Sequence, residues 1–457
     1  MQLGVILALL GALVAAQMAP HELLPDIAHR TMLCGLLMAL LVIAARIVAA
    51  ASVAGLQAES GLDAAWPLRY RRLRKFHALA WGLTIAAIYF GLGWPQIVRE
   101  NWRLRDVFLL DDALILLPVI LSLFLTWWAW GWADQALKSR RAEQLGQASR
   151  PVGGLRATFL LARHLLVPVL VPLLLVLAAQ DVAARYASGT SFSGANIFLV
   201  FPLLFVIVIG FPWVMCYLWR TESLAAGVLR DRLRQVEQRL GVRTRDVLIW
   251  HTDGTICNAV LVGFFPGSRY VLLSDGLIQR MSPDEIAAVY AHELGHARHG
   301  HALLRLLAVV LPVVLCRALA ATFPAAWTAA SDVMTASGLV PPAQVALLTL
   351  LIAACYATTV FSWYCRVLEH EADLSGCQGI ADAKLFCSAL QTLSAVTQSS
   401  QQATRASWLH PAMTDRIALV EYMAGSPEQR ARFTRRMRRL AWLLLALVAA
   451  LAMGSLV

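Results

Sequence analysis

Charge is what this chain of 457 residues has least of. Only 15% of its residues are Asp, Glu, Lys or Arg, while 59% are hydrophobic. A soluble domain carries about a quarter charged residues, so this deficit excludes an ordinary soluble protein. Cysteine pairs at metal-ligand spacing are missing too. The eight cysteines (Cys34, Cys216, Cys257, Cys316, Cys355, Cys365, Cys377 and Cys387) are scattered, several of them in apolar runs. That pattern reads as buried free thiols, not as a thiolate metal site. Internal repeats are absent, and the one biased tract, Ser/Gln-rich 394–402, reads as a loop. A net charge of +11 would suggest nucleic acid in a soluble domain. Here the basic residues are parcelled into short loops between apolar runs, so no nucleic-acid partner is expected.

What is present in quantity is apolar sequence in runs of about 20 residues, the length that crosses a bilayer. Such runs fall at 1–17, 31–51, 76–97, 110–132, 157–179, 196–218, 302–322, 340–364 and 440–457. The first lacks a basic flank and a clear cleavage site, so it reads as a span, not a signal peptide. Segments 67–75, 133–156, 219–249 and 425–439 hold 23 Lys and Arg residues, against 5 in 18–30, 98–109, 180–195 and 323–339. Basic loops stay in the cytoplasm, which puts the first set there; 98–109, with Arg99, Arg103 and Arg105, dissents. Arg46, Arg163, His164, Arg305 and Arg317 fall inside apolar runs. Such residues either line a wet interior or snorkel to the surface, as suits Arg46 and Arg305.

Only 219–301 and 365–436 are long and polar enough to fold in water. Segment 222–240 reads as a basic amphipathic helix with Leu224, Val228, Leu233, Val236 and Leu240 on one side, suited to a membrane surface. Strand-like runs follow at 247–250, 258–265 and 270–273, separated by Asp253-Gly254 and Pro266-Gly267. These predict a small antiparallel sheet.

The chemistry sits in residues 282–301. Ser282 can cap a helix, Pro283 suits its first turn, and Glu285 completes a capping box. On that helix lie His292-Glu293-Leu294-Gly295-His296. Histidines four apart share a helical face and can reach one zinc ion. Glu293 lies between them, where it can take a proton from water activated by the ion. Catalytic zinc usually holds three protein ligands, so one more is needed from another element. Cys365-Arg366-Val367-Leu368-Glu369-His370-Glu371-Ala372-Asp373 offers it. By spacing, Glu369 is the preferred third ligand and Glu371 the alternative. Asp373, one turn beyond Glu369, suits a hydrogen bond from the far nitrogen of a ligating histidine. With the zinc so supplied, His299 and His301 are expected to be solvated or interfacial, and Cys257 and Cys365 bystanders.

The motifs His292-Glu293-x-x-His296 and Arg366-x-x-Glu369-x-x-Ala372-Asp373 resemble those of the integral-membrane gluzincin metallopeptidases, the CAAX prenyl endopeptidases and HtpX-type heat-shock proteases. Asn258-Ala259, Leu273-Ser274-Asp275-Gly276-Leu277 and His410-Pro411 with Arg416 resemble further segments of that family. The likeness is firm over about 245–300 and 362–422, and the many spans resemble the prenyl-endopeptidase branch in architecture. It departs in Cys365, where the family often has a small polar residue, and in the extra apolar segment 440–457. The resemblance implies a zincin-like α+β catalytic domain and favours Glu369 as ligand. It also implies Asn258 on the edge strand as a substrate-backbone contact, with His410 or Arg416 stabilising the oxyanion or holding substrate.

The expected fold is therefore mostly α: a multi-span helical bundle carrying a zincin-like catalytic part. Its expected divisions are a membrane bundle at 1–218, a first catalytic part at 219–301, a two-span hairpin at 302–364, a second catalytic part at 365–436 and a last span at 437–457. The expected function is zinc-dependent endoproteolysis at the cytoplasmic face of a membrane, in a bacterium the inner membrane. Its substrate would be a CAAX-like or lipidated C-terminus or a misfolded membrane protein. A sensor–transducer signalling through a metallopeptidase domain is the alternative, disfavoured by the short outer loops 180–195 and 323–339.

Overall fold

The structure, a computed structural model, describes residues 2–16, 26–58, 66–105, 107–144, 154–187, 195–254, 256–326, 351–397 and 406–454. It divides into two units, 1–207 with 340–351, and 208–339 with 352–457.

The first unit is helical because apolar runs in lipid must satisfy every backbone group internally. Its helices are α1 (Gln2–Ala16), α2 (Ile27–Ala58), α3 (Trp66–Ala86), α4 (Leu110–Gln144), α5 (Gly154–Leu165) and α6 (Val167–Ala187); α7 (Ala195–Leu218) then leads out of it. Two of the expected spans are bent. The stretch Arg69–Gly91 meets Trp94–Asn101 at 50°, broken at Gly93, whose φ of 66° lies in the left-handed region that favours glycine. Helices α5 and α6 meet at 54°, where Pro168 has no N–H to continue the ladder. Among the described residues, five helices are long and apolar enough to cross a membrane, or seven if each bent pair is one span. The apolar parts of α1 and α7, Gly4–Ala16 and Ile209–Leu218, are shorter than such a span. The expected span 340–364 is described only from 351, and the tract 394–402 only to 397.

The second unit carries the sheet: β1 (Thr221–Ser223), β2 (Asp246–Trp250), β3 (Ala259–Val262) and β4 (Tyr270–Ser274) in the order β1-β2-β4-β3. The sheet is mixed, which corrects the expectation of an antiparallel one: β2 and β4 run parallel, Leu248 opposite Leu272. After β2 the chain does not turn back beside it. Its loop is pinned to Asp275, beyond the end of β4, through the N–H groups of Thr252 and Gly254 at 3.0 and 3.2 Å. The chain thus rounds β4 and returns on its far side as β3, antiparallel to β4 and at the sheet edge.

The basic helix forms as α8 (Val228–Leu240). Leu233, Val236 and Leu240 are buried in the same core as Ile286, Tyr290 and Leu294. Its apolar side is therefore spent inside the second unit, not on a membrane surface; Val228 alone of the predicted stripe stands clearly exposed. After β4 come α9 (Asp275–Arg280), α10 (Pro283–Arg298) and α11 (His301–Thr322). The helix Leu351–Ile380 passes through a π-helical turn, Ala357–Phe361, into α12 (Ser362–Ile380). Then follow α13 (Ala383–Thr397), α14 (Met413–Ala424) and α15 (Pro427–Gly454).

Candidate metal centre

Helix α10 begins where its sequence says it should. The Ser282 hydroxyl accepts from the Glu285 N–H, and the Glu285 carboxylate accepts from the Ser282 N–H at 2.9 Å. Helix α12 lies against it at Gly295. A Cβ there would sit 2.7 Å from the Ala372 carbonyl oxygen, so only glycine permits this approach. The contact sets the ligand-bearing faces of the two helices side by side.

His292, His296 and Glu369 converge at this seam. The two Nε2 atoms are 3.2 Å apart. Glu369 Oε2 is 3.5 Å from His292 Nε2, and Oε1 is 3.3 Å from His296 Nε2. Tetrahedral bonds of about 2.0–2.1 Å to zinc separate neighbouring donors by about 3.3–3.4 Å. This donor triangle, taken with one oxygen of Glu369, has its atoms within 4.8 Å of one another, and two imidazoles with one carboxylate suit such an ion. Glu369 Oε2 is buried with no hydrogen-bond partner, as befits an atom reserved for a ligand. Glu371 is directed elsewhere, to His299 and His301.

Glu293 stands between the histidines on α10. Its Oε2 accepts the Leu261 N–H of β3 at 3.0 Å. Burial raises its carboxyl above the usual range; the charge of His292 opposes that shift. Burial pushes His296 down to about 3, so its ring is neutral. At His292 burial acts in the same sense, but hydrogen bonds to Asp373 and Glu369 outweigh it and carry the ring up to about 9.

Asp373 lies behind His292, with Oδ1 2.9 Å from Nδ1. His410 faces the donors from the loop before α14, with Nε2 3.7 Å from Glu369 Oε2 and a side chain 56% exposed. Asn258 is exposed at the start of β3, its N–H bonded to Ser274 Oγ at 2.9 Å. Arg416 requires a correction. It was expected to hold substrate or oxyanion, but it is buried behind His292, fixed to both oxygens of Asp373. A guanidinium so placed is on the far side of the ring from the donor triangle and has no free face for a substrate.

Three residues the sequence reading did not place here belong to the same cluster. His301 is fully buried, its Nδ1 2.8 Å from His296 Nδ1 and its Nε2 3.1 Å from Glu371 Oε2. Arg305 Nη2 is 2.7 Å from Glu369 Oε1. His301 is thus not solvated, nor is Arg305 only a snorkelling residue. Half-buried His299 contacts Ser375 Oγ at 2.7 Å. The signal that would have found them is Gly300, at φ 66°. It turns the chain between α10 and α11 and folds the first turn of α11 back under the histidines.

Comparison with known proteins bears on the same region. Residues 223–424 match the sequence model of Peptidase family M48. The match is confined to that stretch, which is less than half of the chain. Among curated relatives, Protease HtpX of Chromohalobacter salexigens is 28% identical over 177 residues, 38% of this chain and 58% of that protein. Protease HtpX of Xanthomonas campestris pv. campestris is 28% identical over 218 residues, 43% of this chain and 73% of that protein. CAAX prenyl protease 1 homolog of Oryza sativa subsp. japonica is 32% identical over 119 residues, 25% of this chain and 28% of that protein. Among solved structures, S. mikatae Ste24p aligns with 85% of this chain and 98% of its own at 16% identity and a TM-score of 0.43. The matched segment contains β2, β3, β4, α10, α12 and α14, and so every residue of the donor triangle.

Proposed function

We propose that this chain is a zinc-dependent membrane metalloendopeptidase. The observation that carries the reading is the donor triangle, three side chains from two helices spaced to suit one tetrahedral ion. His292, His296 and Glu369 would hold zinc, which supplies Lewis acidity toward water and a peptide carbonyl. Glu293 is the general base: with Oε2 anchored by Leu261, its other oxygen takes the proton of the attacking water and later delivers it to the leaving amine. Asp373 accepts the Nδ1–H of His292 and so keeps its Nε2 lone pair free for the ion. His410, exposed and facing the same opening, is placed to donate to the developing oxyanion.

Strand β3 is the sheet edge beside Glu293, and an extended polypeptide can pair along it as an added strand. Asn258, at the start of that edge, would hold the substrate backbone. The arginine-rich segments 219–249 and 425–439 support a position of this unit at the cytoplasmic face, in a bacterium that of the inner membrane. Candidate substrates are a CAAX-like or otherwise lipidated C-terminus and misfolded membrane protein. No feature of the described residues supports the sensor–transducer reading.

The test is cleavage of casein by the detergent-purified full chain, with and without a zinc chelator, beside Glu293→Gln. Cleavage by the wild type, lost with chelator and in the variant, is expected. Substantial proteolysis by Glu293→Gln would sink the reading. Peptides trapped on Glu293→Gln but not on wild type then report the natural substrate class.

A further inference from the structure

His301 and Arg305 stand one turn apart at the start of α11, and each touches a different metal donor. We infer that this turn is a clamp: His301 and Arg305 are positioning residues that fix how His296 and Glu369 present themselves to the ion. The inference rests on the metal-site reading above and extends it to residues of an apolar, span-forming helix.

The His301 arm fixes a tautomer. Glu371 can only accept while ionised, so His301 Nε2 carries the proton in their 3.1 Å contact. His301 Nδ1 is then a lone pair, and it lies 2.8 Å from His296 Nδ1. His296 must therefore donate from Nδ1, which leaves its Nε2 unprotonated on the side facing His292 and Glu369. A ligating imidazole is commonly oriented this way by the partner of its other nitrogen.

The Arg305 arm fixes a carboxylate. Its guanidinium holds Glu369 Oε1 at 2.7 Å, while Oε2 is left without a hydrogen bond. A carboxylate pinned at one oxygen offers the other singly, which keeps positions on the ion open for water and substrate. Both arms depend on Gly300, whose φ of 66° folds α11 back onto α10. Placement of α11 therefore reaches the metal donors directly, without passing through the substrate.

The experiment is Co(II) titration of the full-length protein in detergent, read by visible absorption. Arg305→Met and His301→Phe are each expected to weaken Co(II) binding by about 10–100-fold. Arg305→Met should also lower the absorption intensity as Glu369 engages the ion through both oxygens and raises its coordination number. Arg305→Lys, which keeps a donor toward Glu369, and His301→Gln, whose amide oxygen can accept from His296, should recover most of the affinity, which a general folding defect would not allow. Arg317→Met, exposed on the same helix, should match the wild type. Wild-type affinity and spectrum in Arg305→Met and His301→Phe would overturn the clamp. So would conservative variants that bind no better than the apolar ones. Failure of the wild type to bind Co(II) at all would instead overturn the metal-site reading itself.

Discussion

Arg416 and Asp373 form a forked ion pair in the interior of the second unit, Nη2 2.6 Å from Oδ1 and Nε 2.8 Å from Oδ2. The pair lies behind His292, and Asp373 serves both the guanidinium and the imidazole. Removing one partner of a buried pair strands the other charge, at a cost of about 3–5 kcal/mol. Arg416→Met is accordingly expected to lower the melting temperature of the purified protein sharply and to weaken metal binding with it. A variant that keeps its melting temperature but raises KM would return Arg416 to the substrate.

Glu293 and His296 separate catalysis from metal retention. Glu293→Gln should keep the metal and lose about 10²–10⁴-fold in kcat. His296→Ala should lose metal and activity together. Metal content by atomic emission, read beside casein cleavage, checks both. A metal-free Glu293→Gln protein would contradict the assigned role.

Gly295 marks where α10 and α12 touch. Gly295→Val places new atoms against the Ala372 carbonyl. Overpacking of this kind costs about 1–3 kcal/mol. Because His292 and His296 ride on one helix and Glu369 on the other, the variant is expected to lose metal affinity even where it still folds. Unchanged Co(II) affinity in a folded Gly295→Val protein would mean that the seam does not set the donor spacing.

Metal removal should act on stability as well as on activity. An ion that binds only the folded site stabilises it in proportion to ligand excess, by about 2.7 kcal/mol at a hundredfold excess over Kd. Chelation is therefore expected to lower the melting temperature of the wild type and to leave that of His296→Ala unchanged. Equal shifts in the two proteins would place the stabilising ion elsewhere.

Some of this was legible because it is local. A capping box, a four-residue histidine spacing and a one-turn Glu369–Asp373 spacing are all properties of one helix at a time. Twenty-residue apolar runs are likewise read without knowing what they touch. The strand runs were visible too, but not their order, because Asp275 carries the chain around β4 before β3 begins. The side of α8 that is apolar was plain; that it meets α10 and not lipid was not.

The sequence by itself determined that this is a multi-span chain with a HExxH helix and an acidic partner some 70 residues on. Those features follow from composition and helical period. Only the tertiary structure decided that Arg416 lies behind His292, and that His301 and Arg305 join the candidate metal centre. These contacts join residues up to 124 positions apart or cross the left-handed break at Gly300. No helical period continues through such a turn, so position along the chain could not say which side chains meet.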